Sequence, residues 1–278
     1  MAARIELPSQ CAAPPTDEEI LAASRALGGL APSAAGLWRE LSDPDVDPRR
    51  LNAVLHQDPG IAARVLKVAN SAYYGRGRQI ATLEQAVAVL GLDAVRGIAA
   101  AAGLDRVAGR IGNPGLYVAH CVSVADFSRV LAARTAVVPL AEAFLAGLLH
   151  DFGLLVEWRL HASGRALPPD PFLHLRCGRI VLTQWQLPPG VVEAAASHHL
   201  GESVPVAGAI EPMCACVRLA HCAASIAGVP TPEPQVDAAD GGPAAADLSV
   251  VGMEPADWVQ WLQGAADCAR EAAEAVCA

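Results

Sequence analysis

Polar residues planted in apolar helical runs constrain this chain more than any other feature. The run Ala141-Glu-Ala-Phe-Leu-Ala-Gly-Leu-Leu-His-Asp-Phe-Gly153 has the composition of a buried helix, yet it carries His150 and Asp151 near its end. His120, His174, His198, His199 and His221 are spread over the neighbouring segments, most of them also apolar. Burying such groups without partners costs roughly 2–7 kcal/mol each. The fold must therefore bring them to a metal ion or join them in a hydrogen-bonded network. Both solutions are open at the level of sequence.

The apolar material narrows the fold class. Hydrophobic residues make up 53% of the 278, but aromatics only 4%, so the interior is built from Ala, Leu and Val. Alanine has the best helix propensity, and its small side chain lets helices approach closely. No run of alternating Val, Ile and Thr bounded by tight turns is present. The chain is predicted to be all-α, with enough length for one large domain or two small ones.

Charge and cysteine usage exclude other classes. The net charge is −9 and the 20 basic residues are scattered, which disfavours a nucleic-acid partner. Arg64, Lys67, Arg76 and Arg78 form one local basic cluster, read as a solvated helix face and loop. The eight cysteines are irregularly spaced, and Cys214 and Cys216 match neither a redox nor a zinc-ribbon motif. They are read as free thiols in a cytoplasmic protein with no secretory segment. No 18-residue apolar stretch without charge appears, so a soluble protein with no membrane partner is expected.

Caps and breakers set the organisation. Residues 1–16 hold Pro8, Pro14 and Pro15 and read as a tail; Thr16 caps a helix from Asp17 to about Leu27. Further helices are expected over Pro32–Leu41, from Pro48 to about His56, after Asp58-Pro59 to Asn70, from Thr82 to Gly91, and over Leu92–Val107. Gly112-Asn113-Pro114-Gly115 marks an internal boundary. Beyond it, one helix carries His120 and Asp126 and the next ends on His150-Asp151. Pro168–Pro171 open the helix with His174, Pro188-Pro189 the one ending at His198-His199, and Pro212 the one with His221. The predicted layout is a tail over 1–16, an N-terminal helical subdomain over 17–111, a helical core over 112–228, a flexible loop over 229–253 and a C-terminal helix over 254–278. Trp258, Trp261 and Leu262 fall on one face of that last helix, as core cover.

Four ordered blocks between about Leu21 and Gly228 carry a resemblance. They are Asp58-Pro-Gly-Ile-Ala-Ala-Arg-Val-Leu-Lys-Val-Ala-Asn-Ser-Ala-Tyr-Tyr-Gly75, Ile80–Gly91, Ala143–Gly153, and Trp185-Gln-Leu-Pro188 with Ser197-His198-His199. Together these resemble the HDOD domain, an offshoot of the HD metal-dependent phosphohydrolases related to the HD-GYP branch. The resemblance implies an N-terminal helical subdomain packed on a multi-helical HD-like core. It also implies metal ligands: His120 for the first histidine, His150-Asp151 for the pair, and His174, His198 and His199 for the additional histidines. His221 stands where the family usually has its last aspartate, and histidine still ligates transition metals. A mono- or dinuclear transition-metal site is expected, with iron first and zinc or manganese as alternatives. A metal-free hydrogen-bonded cluster is the competing reading.

Two departures bear on activity. Active members read His-Asp-x-Gly-Lys, but this chain has Leu154 in place of the lysine, and a leucine cannot hold a phosphate. The Gly-Tyr-Pro stretch of the HD-GYP branch is replaced by Leu200-Gly201-Glu202-Ser203. The resemblance then implies a bacterial signal-transduction or regulatory module without catalytic residues. Its expected partners are a signalling protein and a nucleotide or cyclic-dinucleotide ligand. The alternative is a phosphohydrolase in which a metal-bound water attacks a phosphoester. Asp126 lies about 240° around the helix from His120 and is not expected to share a metal with it. His56 and His161 are expected to be exposed, while Asn70, Ser71 and Tyr74 serve capping and packing.

Overall fold

The structure is a computed structural model describing residues 12–27, 59–70, 80–91, 95, 104, 115–199, 211–229, 231–232 and 242–265. The helices expected over 32–41 and 48–56, His56, Ser71, Tyr74 and the 200–203 stretch lie outside the described residues, as does most of 92–107. Among the described residues the chain is helical throughout, with no strand.

The predicted caps act as read. Helix α1 (Asp17–Ala26) starts in a capping box, where Thr16 accepts from the Glu19 amide at 3.2 Å and Glu19 accepts from the Thr16 amide at 2.7 Å. Helix α2 (Pro59–Ala69) is followed by Asn70, whose side chain bonds the Leu66 carbonyl and both backbone groups of Ile80. That side chain ties the end of α2 to the start of α3 (Leu83–Leu90), which has its own capping box at Thr82. Gly91 ends α3 at φ +82°, a conformation that costs glycine little.

The core is built around α4 (Gly115–Thr135), which packs against α5 (Leu140–Leu149) and α9 (Pro212–Ile226). Helices α6 (Phe152–Ala162) and α7 (Leu173–Gln184) pair, and α8 (Pro189–Ser197) lies against α5, α7 and α9. Leu116–Thr135 is long and apolar enough to cross a membrane, but most of it is buried in this packing and it reads as a core helix. The cysteines at 121, 177, 214 and 216 are buried free thiols, serving as small apolar side chains.

Three features depart from the predicted layout. Inside the predicted 229–253 loop, α10 (Ala245–Val251) forms and packs on α9, with Asp247, Leu248 and Val251 buried. Three consecutive alanines favour the helix there, and the Asp247 carboxylate meets Arg218. Helix α1, placed by sequence in the N-terminal subdomain, packs on α6 and α7 of the core. Arg165 reaches Glu19 and the Ala13 carbonyl while Arg176 reaches the Pro15 carbonyl, so the end of the predicted tail is pinned. The described part of the last helix covers 255–265, with Trp258 buried and Trp261 packed against Phe127 at 5.9 Å between ring centres.

Candidate metal centre

Close backbone approach places His150 and Asp151. On α5, a Cβ at Gly147 would fall 2.7 Å from the Ala125 Cα and 2.8 Å from the Val124 carbonyl, so only glycine lets α5 lie this near α4. On α6, a Cβ at Gly153 would fall 1.8 Å from the His174 carbonyl. Gly153 thus lets α6 press on the start of α7 and sets Asp151 beside His174. The Tyr117 hydroxyl donates to the Asp151 carbonyl at 3.3 Å, linking α4 to the same corner.

Asp151 stands at the N-cap of α6, a place where aspartate commonly accepts the helix's free amides. It makes no such bond. Its carboxylate turns instead into the histidines: His198 Nε2 is 3.0 Å from Oδ1, His150 Nε2 is 3.2 Å from Oδ2, and His120 Nε2 and His174 Nε2 lie at 3.7 and 4.0 Å. All seven residues singled out by sequence are buried. They form two adjacent groups, Asp151 with His174, His198 and His199, and His120 with His150 and His221; donor atoms within each group lie within 4.8 Å of one another. His150 and His198 meet edge to face at 4.8 Å, and His199 and His221 at 5.3 Å, so the two groups are contiguous.

The backbone assigns the tautomers. His150 Nδ1 donates to the Gly147 carbonyl at 2.7 Å and His198 Nδ1 to the Ala195 carbonyl at 3.2 Å. In a neutral ring the other nitrogen, Nε2, then carries the lone pair, and in both rings it faces a carboxylate oxygen. His120 Nε2 approaches His150 Nε2 at 3.3 Å in the same space. Acceptors crowding acceptors need a cation between them, either a proton or a metal ion. A carbonyl holding Nδ1–H so that Nε2 is presented is the outer support that metal-bound histidines usually have.

Electrostatics weigh against a proton on most of these rings. Burial pushes His198 down to about 3, and it lowers His120, His174 and His199 as well, with neighbouring rings adding to the effect at His120 and His199. Burial would raise Asp151, but the adjacent His150 and His198 outweigh it and hold the carboxyl well below its ordinary range. Six imidazoles and one carboxylate, without cysteine, fit a transition-metal site by donor chemistry.

The remaining candidates fall outside this cluster. Asp126 pairs with Arg129 at 3.3 Å and takes no part in either group; His161 is exposed. Leu154 is 2% exposed and belongs to the apolar core. Sequence reasoning missed Gly147, Gly153 and the Arg218–Asp247 pair. A glycine beside each end of the His-Asp pair was the available signal for the first two.

Comparison with known proteins agrees with this architecture. Residues 28–164 match the HDOD domain family model and residues 117–226 the HD domain model. An "Uncharacterized protein" of Treponema pallidum (strain Nichols) is 24% identical over 182 residues, which is 59% of this chain but only 36% of that protein. An HDOD domain protein from Geobacter sulfurreducens superposes with a TM-score of 0.62 at 20% identity, covering 94% of this chain and 97% of the other. A "Putative phosphohydrolase" from Shewanella amazonensis SB2B gives 0.66 at 19% identity, covering 93% and 98%. A "Putative signal transduction protein" from Marinobacter aquaeolei VT8 gives 0.66 at 21%, covering 94% of this chain and 65% of that one. At these identities the structures speak to fold. The two matches overlap over residues 117–164, and the buried His-Asp cluster lies within the stretch similar to the HD domain, so this chain carries a region that resembles the HDOD domain and one that resembles the HD domain.

Proposed function

We propose that this chain is a cytoplasmic regulatory HDOD module of bacterial signal transduction whose HD core holds a transition metal but does not hydrolyse phosphoesters. His120, His150 and His221 would hold one ion, and Asp151, His174, His198 and His199 a second. Histidine-rich donors with a single carboxylate favour iron, with zinc and manganese as alternatives. When bound, the metal supplies positive charge beside Asp151 and a place for an anionic ligand.

The observation that carries the regulatory reading is Leu154. Active HD proteins place a lysine at this point to hold substrate phosphate, whereas here the side chain is buried in the core. The ligand and output partner follow from the family resemblance: a nucleotide or cyclic dinucleotide binding at the core, and a signalling protein reading the resulting helix packing. The name given to the Marinobacter structure is compatible with this reading.

A second reading is metal-dependent phosphohydrolysis, favoured by the convergence of all seven donors and the name of the Shewanella structure. Elemental analysis of untagged protein, then a hydrolysis panel of nucleotides and cyclic dinucleotides, separates the two. The expected result is bound metal with no turnover. Turnover that disappears in His150→Ala and Asp151→Ala would establish the hydrolase instead.

A further inference from the structure

Arg218 is 3% exposed within the apolar α9, three residues before His221. Its Nε donates to Asp247 Oδ2 at 2.9 Å and its Nη2 to Oδ1, a bidentate pair buried on both sides. Its Nη1 faces the carbonyl of Ser197 at 3.5 Å. Ser197 is the last residue of α8, immediately before His198 and His199. The final carbonyls of a helix lack intrahelical donors and carry the negative end of its dipole, so a cation there is favourable. A second tie runs beside it, from Ser197 Oγ to the Glu193 carbonyl at 2.7 Å and to Cys214 Sγ on α9 at 3.3 Å.

We propose that Arg218 is a positioning residue that fixes His198 and His199 by capping the end of α8, and that Asp247 on α10 holds it there. Asp247 lies beyond residue 226, where the HD match ends, so a segment outside both domain matches sets the geometry of the cluster. The planar guanidinium is what permits this, with one edge on the carboxylate and a further nitrogen on the helix end. A lysine has one ammonium and cannot span both. The inference concerns ring positions and stands whether or not metal is bound.

The test uses the full chain, stripped with chelator, and reads each imidazole by long-range proton–nitrogen NMR. Arg218→Met/Asp247→Leu replaces the ion pair by apolar side chains, a change that buried pairs often tolerate without loss of stability. The folded double variant is expected to displace the His198 and His199 ring signals while leaving those of His120 in place. Unmoved His198 and His199 signals, or equal displacement of all three, would overturn the proposal and reduce the pair to packing. If the double variant does not fold, Arg218→Lys decides: selective displacement of His198 and His199 supports the assignment, and its absence contradicts it.

Discussion

Asp247 and Asp151 are both buried carboxylates, 4% and 2% exposed, and the molecule neutralises them differently. Asp247 faces a guanidinium that is charged at any accessible pH, in a bidentate pair that closes on itself. Asp151 faces four imidazoles, and burial opposes a proton on at least three of them. One site is complete with protein atoms alone. The other gathers far more donors than one carboxylate can use, with lone pairs aimed inward. Neutralising a charge with a permanent cation makes structure, whereas surrounding it with neutral imidazoles makes a site with capacity for a cation.

The largest expected effect is at the closed pair. Arg218→Met should lower unfolding free energy by about 3–5 kcal/mol, because it strands a buried carboxylate. Urea denaturation checks this, and a loss below about 1 kcal/mol would make the two carboxylates alike. Asp151→Asn should act on metal rather than on folding. Titration with zinc should show affinity falling by more than about 100-fold, the upper end for losing an outer partner of a metal ligand. Unchanged affinity would place the metal elsewhere.

Acidification should find the open site first. His198 has a folded-state pKa of about 3 against an ordinary 6.5, so the unfolded chain binds the extra proton between those values. Stability is fully present above about 6.5 and declines as pH falls toward 3, by about 1.4 kcal/mol per pH unit for this one group. Asp151, held below its ordinary 3.8, adds loss in the same direction at still lower pH. Melting temperatures measured from pH 8 to 4 on chelator-stripped protein should fall monotonically. A flat profile would mean that the rings are solvated or already protonated at neutral pH.

The smallest effect belongs to a carboxylate on the same helix as His120. Burial raises the Asp126 pKa, and its partner Arg129 is an i,i+3 neighbour with a partly exposed side chain. Asp126→Asn should change stability by no more than about 0.5 kcal/mol and leave metal content intact. Lost metal in that variant would extend the centre along α4.

Much of this was legible in the chain. Thr16, Thr82 and the proline pairs act locally, so their caps and helix starts could be read directly. The seven donors showed as polar residues in apolar runs, and the domain resemblance gave them an order. What stayed hidden depends on long-range pairing. Residues 229–253 have a loop's composition, and α10 within them is fixed by Arg218 from an earlier helix. Likewise, α1 belongs with α6 and α7 because Arg165 and Arg176 reach back across the chain, which no periodicity reports.

The most direct measurement is the transition-metal content of untagged, freshly purified protein by mass spectrometry, set beside the same assay on Asp151→Asn and Asp126→Asn. At least one metal ion per chain is predicted in the wild type and in Asp126→Asn, with depletion in Asp151→Asn. Folded wild-type protein that holds no metal, gains none on incubation with iron, zinc or manganese, and melts unchanged with chelator would contradict the account.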